Sequence, residues 1–375
     1  MNPSPRDAIK IVKVDAIPFR LPLKHPLSFA TGKYSAMDYV LVRIESASGQ
    51  AGIAEAPARS MVYGESVASI VSAVRDWFAP ALEGLEHHRI EEAALRLESY
   101  EGNQCAKGAI DLALHDLVAK EAGVPLRRLL GGYTDSVEIC HCIIKLSEPE
   151  AVAAEAAEMV ERHGFRWLKL KGGVDSVRDT RMLAAVRRAV GPSVRLSVDL
   201  NHGYPAHVAQ KVLPGWREFE LDWIEEPCPG QDVLGRARAA AAAGIPFMVD
   251  ESAPTPFTVM EEIRRGVCSV VSIKAARTGI TSSRKILALC EQGGMRPILG
   301  GQGDSLIGAF GAAQLGAGQR SLAVGCAELS FFLDLEDGIA AADPVLRDGR
   351  LELSEQPGIG LTIDEDALER CRIDR

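Results

Sequence analysis

Charged side chains stand at the ends of successive strand-like runs in the middle of the chain. Asp199 lies in VRLSVDLN, Glu225 in LDWIEEP and Asp250 in PFMVDES, at intervals of 26 and 25 residues. This spacing indicates a repeated strand–helix unit that brings one carboxylate per unit to the same rim. Adjacent strands lie roughly 5 Å apart, so the three carboxylates repel one another unless they share a divalent cation. Oxygen ligands favour a hard ion, and we therefore predict a Mg²⁺ or Mn²⁺ site.

Two further acids and one amide adjoin these positions. Glu226 and Glu251 each directly follow one of the predicted ligands and are alternatives to them. Because side chains alternate along a strand, only one acid of each adjacent pair should face the common axis. The competing interpretation is that these acids cap the helices that follow, but three acids at matched spacing favour the metal. Asn201, two residues after Asp199, is predicted to face the same way and to bond a ligand or the substrate.

Lysines end the strand-like runs on either side of the acids. Lys169 and Lys171 lie two residues apart in WLKLKGG, so both should point into one site and lower each other's pKa. Lys274 ends VVSIKAAR on a run that faces that of Lys171 if eight strands form a ring. Two opposed lysines can move protons on either face of a carbon next to a metal-bound carboxylate, and the cation stabilises the resulting enediolate. The alternative is solvated lysines at strand ends.

Eight short, almost continuously apolar runs recur along the chain after residue 136. Such runs are typical of parallel strands buried on both faces. Eight strand–helix units predict a (β/α)8 barrel, which presents functional residues at the C-terminal ends of its strands. A doubly wound open sheet is the competing architecture. The predicted strands begin near residues 137, 167, 194, 222, 247, 270, 296 and 322.

The last two runs also end in polar or glycine-rich segments. Glu328, in VGCAELS, ends the eighth run and either orients the substrate or a lysine, or is a charge on the rim. Gly301 and Gln302 belong to GGQGDS, where glycines permit close approach of the backbone to a ligand. This segment does not match a dinucleotide-binding fingerprint.

The N-terminal third of the chain has a different pattern. Apolar and polar residues alternate in IVKVDAIPFRLPL and DYVLVRIESASG, as in antiparallel strands with one solvated face. Residues 66–99 and 104–122 then show helical spacing, so we predict an α+β domain. The resulting prediction is a modified barrel of the (β/α)8 type over residues 133–329, an α+β capping domain over 1–132, and a C-terminal segment over 330–375 that packs back on the cap.

Composition limits the partners. The 375 residues carry a net charge of −9, which disfavours nucleic acid and anionic membranes but not a small anionic substrate at a metal site. No run has the eighteen or so consecutive apolar residues that span a bilayer. The eight cysteines include no CxxC pair, so free buried thiols in a reducing cytoplasm are expected.

Taken together, these motifs resemble the enolase superfamily, and specifically its muconate-lactonizing subgroup. The similarity covers essentially the whole length and is strongest to bacterial muconate cycloisomerases in PARSMVYGES, SIKAARTGITSS and GCAELSFFLD. It implies three metal ligands, Asp199, Glu225 and Asp250. It also implies three acid/base residues, Lys169, Lys171 and Lys274. A homo-oligomer, from dimer to octamer, is expected as well.

The resemblance implies that one carboxylate of cis,cis-muconate binds the metal while the other adds to the double bond. A lysine then protonates the α-carbon to give muconolactone. Cap segments at residues 24–34 and 56–66 should cover the pocket, with Phe29, Met61 and Tyr63 as candidate walls. A racemase or epimerase of N-acylamino acids or dipeptides would use the same machinery, as would an o-succinylbenzoate synthase-type dehydratase. A barrel that only binds a ligand is the alternative from another class.

Overall fold

A three-stranded antiparallel sheet opens the fold in the computed structural model, which describes residues 8–29, 32–144 and 147–374. The strands are β1 (Ile11–Phe29), β2 (Gly32–Ser46) and β3 (Ala51–Pro57), with β2 in the middle. The helices of this part are α1 (Ser60–Tyr63), α2 (Val67–Ser72), α3 (Ala79–Leu82), α4 (Ile90–Glu98), α5 (Gln104–Glu121) and α6 (Leu126–Leu129). Helix α5 packs on β3 and is almost fully buried, which confirms the predicted α+β cap.

The stretch predicted as helical over residues 66–99 is interrupted. Helix α2 continues through a π-helical turn at Ala73–Phe78 into α3, and α4 begins only at Ile90. The intervening chain turns at Gly84, whose φ of 80° is a left-handed conformation that glycine adopts without strain. Apolar spacing alone did not mark this break.

Seven parallel strands form the second sheet, in sequential spatial order. They are β5 (Cys140–Ile143), β6 (Trp167–Lys171), β7 (Arg195–Asp199), β8 (Leu221–Glu225), β9 (Phe247–Val249), β10 (Val270–Ile273) and β11 (Arg296–Leu299). The helices that follow them are α7 (Pro149–His163), α8 (Ser176–Val190), α9 (Ala206–Val212) with a 3₁₀ turn at Leu213–Phe219, α10 (Val233–Ala243), α11 (Pro256–Arg265), α12 (Ala275–Gly293), α13 (Leu306–Gly318) and α14 (Arg320–Ala323).

A single residue closes the ring where an eighth strand was predicted. Ala327 forms parallel bridges with Ile139 on one side and Leu299 on the other. The prediction of a strand beginning near residue 322 is wrong, because α14 occupies that stretch and leaves room only for a bridge at Ala327. The sheet is nevertheless closed as a modified (β/α)8 barrel, and the open doubly wound sheet is excluded.

Strand alternation arranges the barrel interior in layers. On β6, Trp167, Lys169 and Lys171 follow one another on the same side of the strand. Trp167 lies at the N-terminal end, 5.6 Å from the ring of Trp223, in a separate buried apolar cluster. The charged residues therefore stand above an apolar floor, at the C-terminal ends of the strands, where barrels place their chemistry.

The end of the chain contacts both the barrel and the cap. Strands β12 (Val345–Arg347) and β13 (Arg350–Glu352) join the short β4 (Ser136–Glu138) in a third sheet. A 3₁₀ turn covers Phe331–Asp334, and the last helix, α15 (Glu365–Cys371), packs against β1. The proposed boundaries at residues 132 and 329 remain a prediction. Throughout the described ranges, each helix is too short or too polar to cross a bilayer.

A buried carboxylate of the cap, Glu55, contacts the barrel between β11 and α13. Glu55 on β3 accepts hydrogen bonds from the hydroxyl of Ser305, the N-cap of α13, and, at 2.7 Å, from the Ser305 backbone N–H. Burial and the nearby Asp304 raise the pKa of Glu55 to about 8. A Cβ at Gly308 would overlap the Glu55 carboxylate, so glycine permits this close approach.

This contact predicts how stability depends on pH. Because the folded-state pKa of Glu55 exceeds its unfolded value of 4.5, its contribution is complete below that value and is lost as pH rises towards about 8. The loss is at most roughly 5 kcal/mol at 1.36 kcal/mol per pKa unit. Glu55→Gln should therefore flatten the free energy of unfolding between pH 5 and 9, measured by urea denaturation. An unchanged pH dependence would contradict this account.

Candidate active site

The C-terminal ends of the barrel strands open into a cavity of about 400 Å³ that the cap covers. Cap residues and barrel residues contribute to the same wall. From the cap come Tyr34, Arg59, Met61, Val62 and Tyr63. From the barrel come Cys142, Ile144, Lys169, Lys171, Asn201, His202, Asp250, Glu251, Lys274, Gly301, Gln302, Gly303 and Glu328, and from the C-terminal segment comes Phe331.

Three predicted side chains stand side by side on neighbouring strands. Lys171 pairs in register with Asp199, and Asp199 pairs with Glu225. Asp250 follows β9 one strand further along. Asp199, Glu225 and Asp250 are all at most 1% exposed. The strand register thus brings Lys171, Asp199 and Glu225 to one level of the barrel, and Asp250 directly follows the end of the next strand.

The oxygens of three acids form a group suited to a cation. One carboxylate oxygen each from Glu225, Asp250 and Glu251 lies within 4.8 Å of the others. Within the described part of the chain, the buried Oε1 of Glu225 has no hydrogen-bond partner. Burial and the neighbouring Asp199 raise the pKa of Glu225 well above its usual value. A crowded set of oxygen donors with an unsatisfied buried oxygen fits a divalent cation such as Mg²⁺ or Mn²⁺.

Asp199 lies outside that oxygen group because its carboxylate turns towards a lysine. Its Oδ2 contacts the Lys171 ammonium, and its Oδ1 accepts the Asn201 backbone N–H at 2.9 Å. Burial opposes the charged form of Asp199, but Lys171 lowers its pKa below the usual value. Glu251 is the acid that joins Glu225 and Asp250 in this arrangement. The ligand set of Asp199, Glu225 and Asp250 therefore stays a prediction, with Glu251 as the alternative.

Glu226, the other alternative ligand, makes contacts that hold the backbone. Its Oε1 accepts N–H groups of Asp250 and Ser252, both at 2.8 Å, and its Oε2 accepts the Ser252 hydroxyl. The φ of Glu226 is 38°, a left-handed value that favours glycine and is strained in glutamate. His202 lies 3.5 Å from the same carboxylate. Both oxygens are thus already engaged in shaping the loop that carries Asp250.

The ammonium of Lys169 lies between two carboxylates. Its Nζ donates to Glu225 at 2.9 Å and also to Glu328. Burial disfavours the charged lysine, but Glu225 and Glu328 raise its pKa well above the usual value. The pKa of Lys169 is thus raised, whereas a lowered value was expected from the neighbouring lysine, because two carboxylates contact its ammonium. Glu328 was expected either to orient the substrate or a lysine, or to be a charge on the rim. It contacts Lys169.

Lys274 is held by an acid and lies near a cap tyrosine. Its Nζ contacts Asp250 Oδ2. Burial opposes its charge, but Asp250 and then Tyr63 raise the pKa of Lys274 above its usual value. Lys274 follows β10, the sixth strand of the ring, whereas Lys171 ends β6, the second. The two lysines thus come from opposite sides of the barrel, as the strand count predicted.

The predicted substrate-binding residues are mostly brought together. Asn201 accepts from Lys171 at 2.9 Å and donates to Glu251 at 3.0 Å. Met61, Tyr63, Gly301 and Gln302 line the cavity, and Met61 is 64% exposed. The backbone of Phe29 ends β1, but its side chain lies outside the described part of the chain.

Two arginines in the site were not among the predicted residues. Arg59, from the cap, lines the cavity and donates to the Gln302 carbonyl at 2.8 Å. Arg277 is buried in the first turn of α12 and donates to Asp250 and Tyr63. Arg59 lies in the predicted cap segment, so its position offered a signal. A buried arginine three residues after Lys274 offered none without the tertiary contacts.

Comparison with known families agrees with this geometry. Residues 11–131 match the model of the mandelate racemase / muconate lactonizing enzyme N-terminal domain, and residues 151–367 match the enolase C-terminal domain-like model. The chain belongs to the enolase superfamily, in its muconate-lactonizing subgroup. It is therefore an isomerase of this family, and the predicted fold and family are both confirmed.

Solved and curated relatives include two different activities. The chain is 37% identical to a muconate lactonizing enzyme from Mucobacterium Smegmatis complexed with muconolactone, with a TM-score of 0.95 and coverage of 97% and 100% of the two chains. It is 30% identical to an L-Ala-D/L-Glu epimerase of Bacillus subtilis over 84% of this chain and 87% of that one. A dipeptide epimerase from Enterococcus faecalis, complexed with Mg and a dipeptide, is 28% identical, with a TM-score of 0.88 and coverage of 94% and 99%.

Proposed function

We propose that this enzyme cyclises cis,cis-muconate, or a close analogue, to muconolactone with a bound Mg²⁺ or Mn²⁺. The observation that carries the proposal is that the cavity has a positively charged side chain on the cap, in addition to the predicted cation site on the barrel. Besides the acids and lysines at the strand ends, Arg59 of the cap lines the same space. A dicarboxylate can place one carboxylate at the cation and the other near Arg59, because guanidinium groups bind carboxylates well.

The chain's own residues would hold and protonate the substrate. Asp199, Glu225 and Asp250, or Glu251 in place of one of them, would hold the cation. When bound, the cation would supply positive charge that offsets the negative charge developing on the substrate carboxylate. The free carboxylate forms a C–O bond at the far end of the double bond, the π electrons move to the α-carbon, and a lysine ammonium transfers its proton there. Confinement of both reacting groups in one cavity supplies much of the rate by proximity.

Lys274 carries a proton at neutral pH. Burial opposes its charge, but Asp250 and Tyr63 raise its pKa above the usual value. Because a raised pKa weakens an acid, transfer of this proton depends on the negative charge that develops at the α-carbon. Lys171 faces it from the opposite strand and could act on the other face. Lys169, held between Glu225 and Glu328, would orient the carboxylates rather than approach the carbon.

A racemase or epimerase of N-acylamino acids or dipeptides is the second candidate. Two opposed lysines suit this reaction as well as they suit cyclisation, because one lysine can remove the α-proton of an amino acid and the other can return it. The 30% identity to an L-Ala-D/L-Glu epimerase supports the same candidate. An o-succinylbenzoate synthase-type dehydration uses the same groups but has no specific observation in its favour. Parallel assays of muconate, an N-acylamino acid and a dipeptide, each with Mg²⁺ or Mn²⁺, separate these reactions.

Arg59 provides a test of the dicarboxylate. If it binds the second carboxylate, Arg59→Gln should raise the KM for muconate by roughly 10- to 100-fold, since a charged hydrogen bond contributes about 1.5–3 kcal/mol. Arg59→Lys should retain part of the affinity. Arg43→Gln, on β2 and paired with Glu365, is a control on the same sheet. Steady-state kinetics measure the effect, and an unchanged KM in Arg59→Gln would contradict the assignment.

A further inference from the structure

A buried arginine connects the cap to the predicted metal ligands. The guanidinium of Arg277 donates from Nη1 to Asp250 Oδ1 at 2.7 Å and to the Tyr63 hydroxyl at 2.8 Å. Its Nη2 donates to the Asp250 carbonyl at 3.1 Å and to the Ser272 carbonyl at 3.2 Å. The side chain is 1% exposed. One rigid planar group thus touches a cap residue, a predicted ligand and the strand below Lys274.

The direction of these bonds fixes the role of the tyrosine. Arginine has no acceptor, so the Tyr63 oxygen must accept from it. Burial raises the pKa of Tyr63, and the hydroxyl keeps its proton at neutral pH. Among residues 8–29, 32–144 and 147–374, the hydroxyl proton has no acceptor of its own, and the ring borders the cavity. The phenol is therefore left to donate to an oxygen of a bound ligand.

The same arginine also selects the oxygen that Asp250 presents. Arg277 holds Oδ1, whereas Oδ2 lies on the side of Lys274. A group that fixes the orientation of a ligand carboxylate commonly changes metal affinity by 10- to 100-fold. Arg277 is thus placed to orient a metal ligand and a substrate donor together.

We infer that Arg277 is a positioning residue that makes Tyr63 a hydrogen-bond donor to the substrate carboxylate and couples that bond to the orientation of Asp250. The inference deepens the proposed function, because it rests on an anionic carboxylate bound beside the cation. It predicts that binding of a carboxylate and binding of the cation reinforce each other through Arg277. By linkage, that reinforcement is the same in both directions.

A double-mutant cycle with Tyr63→Phe and Arg277→Lys tests this coupling. The probe is adipate, an unreactive six-carbon dicarboxylate, and calorimetry measures its affinity in the presence of Mn²⁺. Paramagnetic resonance of free Mn²⁺ measures metal affinity without adipate. Arg284→Lys, on the exposed face of the same helix, is the matched control.

Tyr63→Phe should weaken adipate binding by about 10-fold or more, as expected for a bond to a charged group, and leave Mn²⁺ affinity unchanged. Arg277→Lys should weaken Mn²⁺ binding by about 10-fold or more. In that background, Tyr63→Phe should have almost no further effect on adipate. Independent, multiplicative effects would overturn the inference, and so would normal adipate binding by Tyr63→Phe, even if Arg277→Lys fails to fold.

The two proposals fail in different ways. If the unmodified enzyme leaves muconate unchanged while adipate binding still depends on Tyr63 and Arg277, the proposed function is wrong and the coupling stands. If muconate is cyclised but Tyr63→Phe binds adipate normally, only the coupling is wrong.

Discussion

Lys274→Ala is expected to lower the kcat for muconate cyclisation by roughly 10²- to 10⁴-fold, the usual contribution of a positioned general acid. The ammonium contacts Asp250 above the apolar floor of the barrel. Arg277 still pairs with Asp250 in the variant, so the acid is not left alone in the interior. The fold and the metal affinity should therefore survive. Steady-state kinetics, circular dichroism and Mn²⁺ titration measure the three quantities.

Lys171→Ala should show this loss of kcat instead if Lys171, on the other face of the α-carbon, is the lysine that donates the proton. Lys285→Ala is the matched control, because Lys285 lies on the surface of α12 with its side chain 48% exposed. The control should retain full activity. Unfolding of the Lys274→Ala variant, or loss of its Mn²⁺ binding together with activity, would instead assign the lysine a structural role.

Removal of the divalent cation should abolish turnover, and Mg²⁺ or Mn²⁺ should restore it. The physical reason is the crowding of Asp199, Glu225, Asp250 and Glu251, which cannot stabilise an anionic enediolate without added positive charge. Glu225→Gln should weaken Mn²⁺ binding by roughly tenfold or more, because the Glu225 carboxylate is 0% exposed and its Oε1 has no other partner in the described structure.

A control on the same strand separates metal binding from folding. Asp222 pairs with Arg195, away from the oxygen group at the end of β8. Asp222→Asn should therefore keep both Mn²⁺ affinity and turnover. Full activity after exhaustive chelation would contradict the metal assignment, as would unchanged Mn²⁺ affinity in Glu225→Gln.

The barrel and its charged rim follow from local regularities of the sequence. Alternation along β6 is enough to place Lys169 and Lys171 on one side of the strand, and the repeat spacing is enough to place Asp199 beside Glu225. Both features depend only on the period of a strand and the length of a strand–helix unit. The position of Lys274 opposite Lys171 follows from the same count.

The parts that escaped prediction depend on contacts between distant residues. Arg277 meets Tyr63 across 214 residues of sequence, and no local pattern specifies how the cap lies on the barrel. The turn of Asp199 towards Lys171 depends on competition among several buried charges. The eighth strand is reduced to one bridging residue, Ala327, because α14 occupies the stretch before it.

The most direct test of the central claim is the fate of solvent deuterium. Purified enzyme, loaded with Mg²⁺ or Mn²⁺, is given cis,cis-muconate in D₂O, and the product is analysed by nuclear magnetic resonance. The account predicts muconolactone with a single deuterium on the carbon next to the metal-bound carboxylate, placed on one face by one lysine. Unchanged muconate, together with exchange of the α-proton of an N-acylamino acid, would contradict it and assign the site to a racemase.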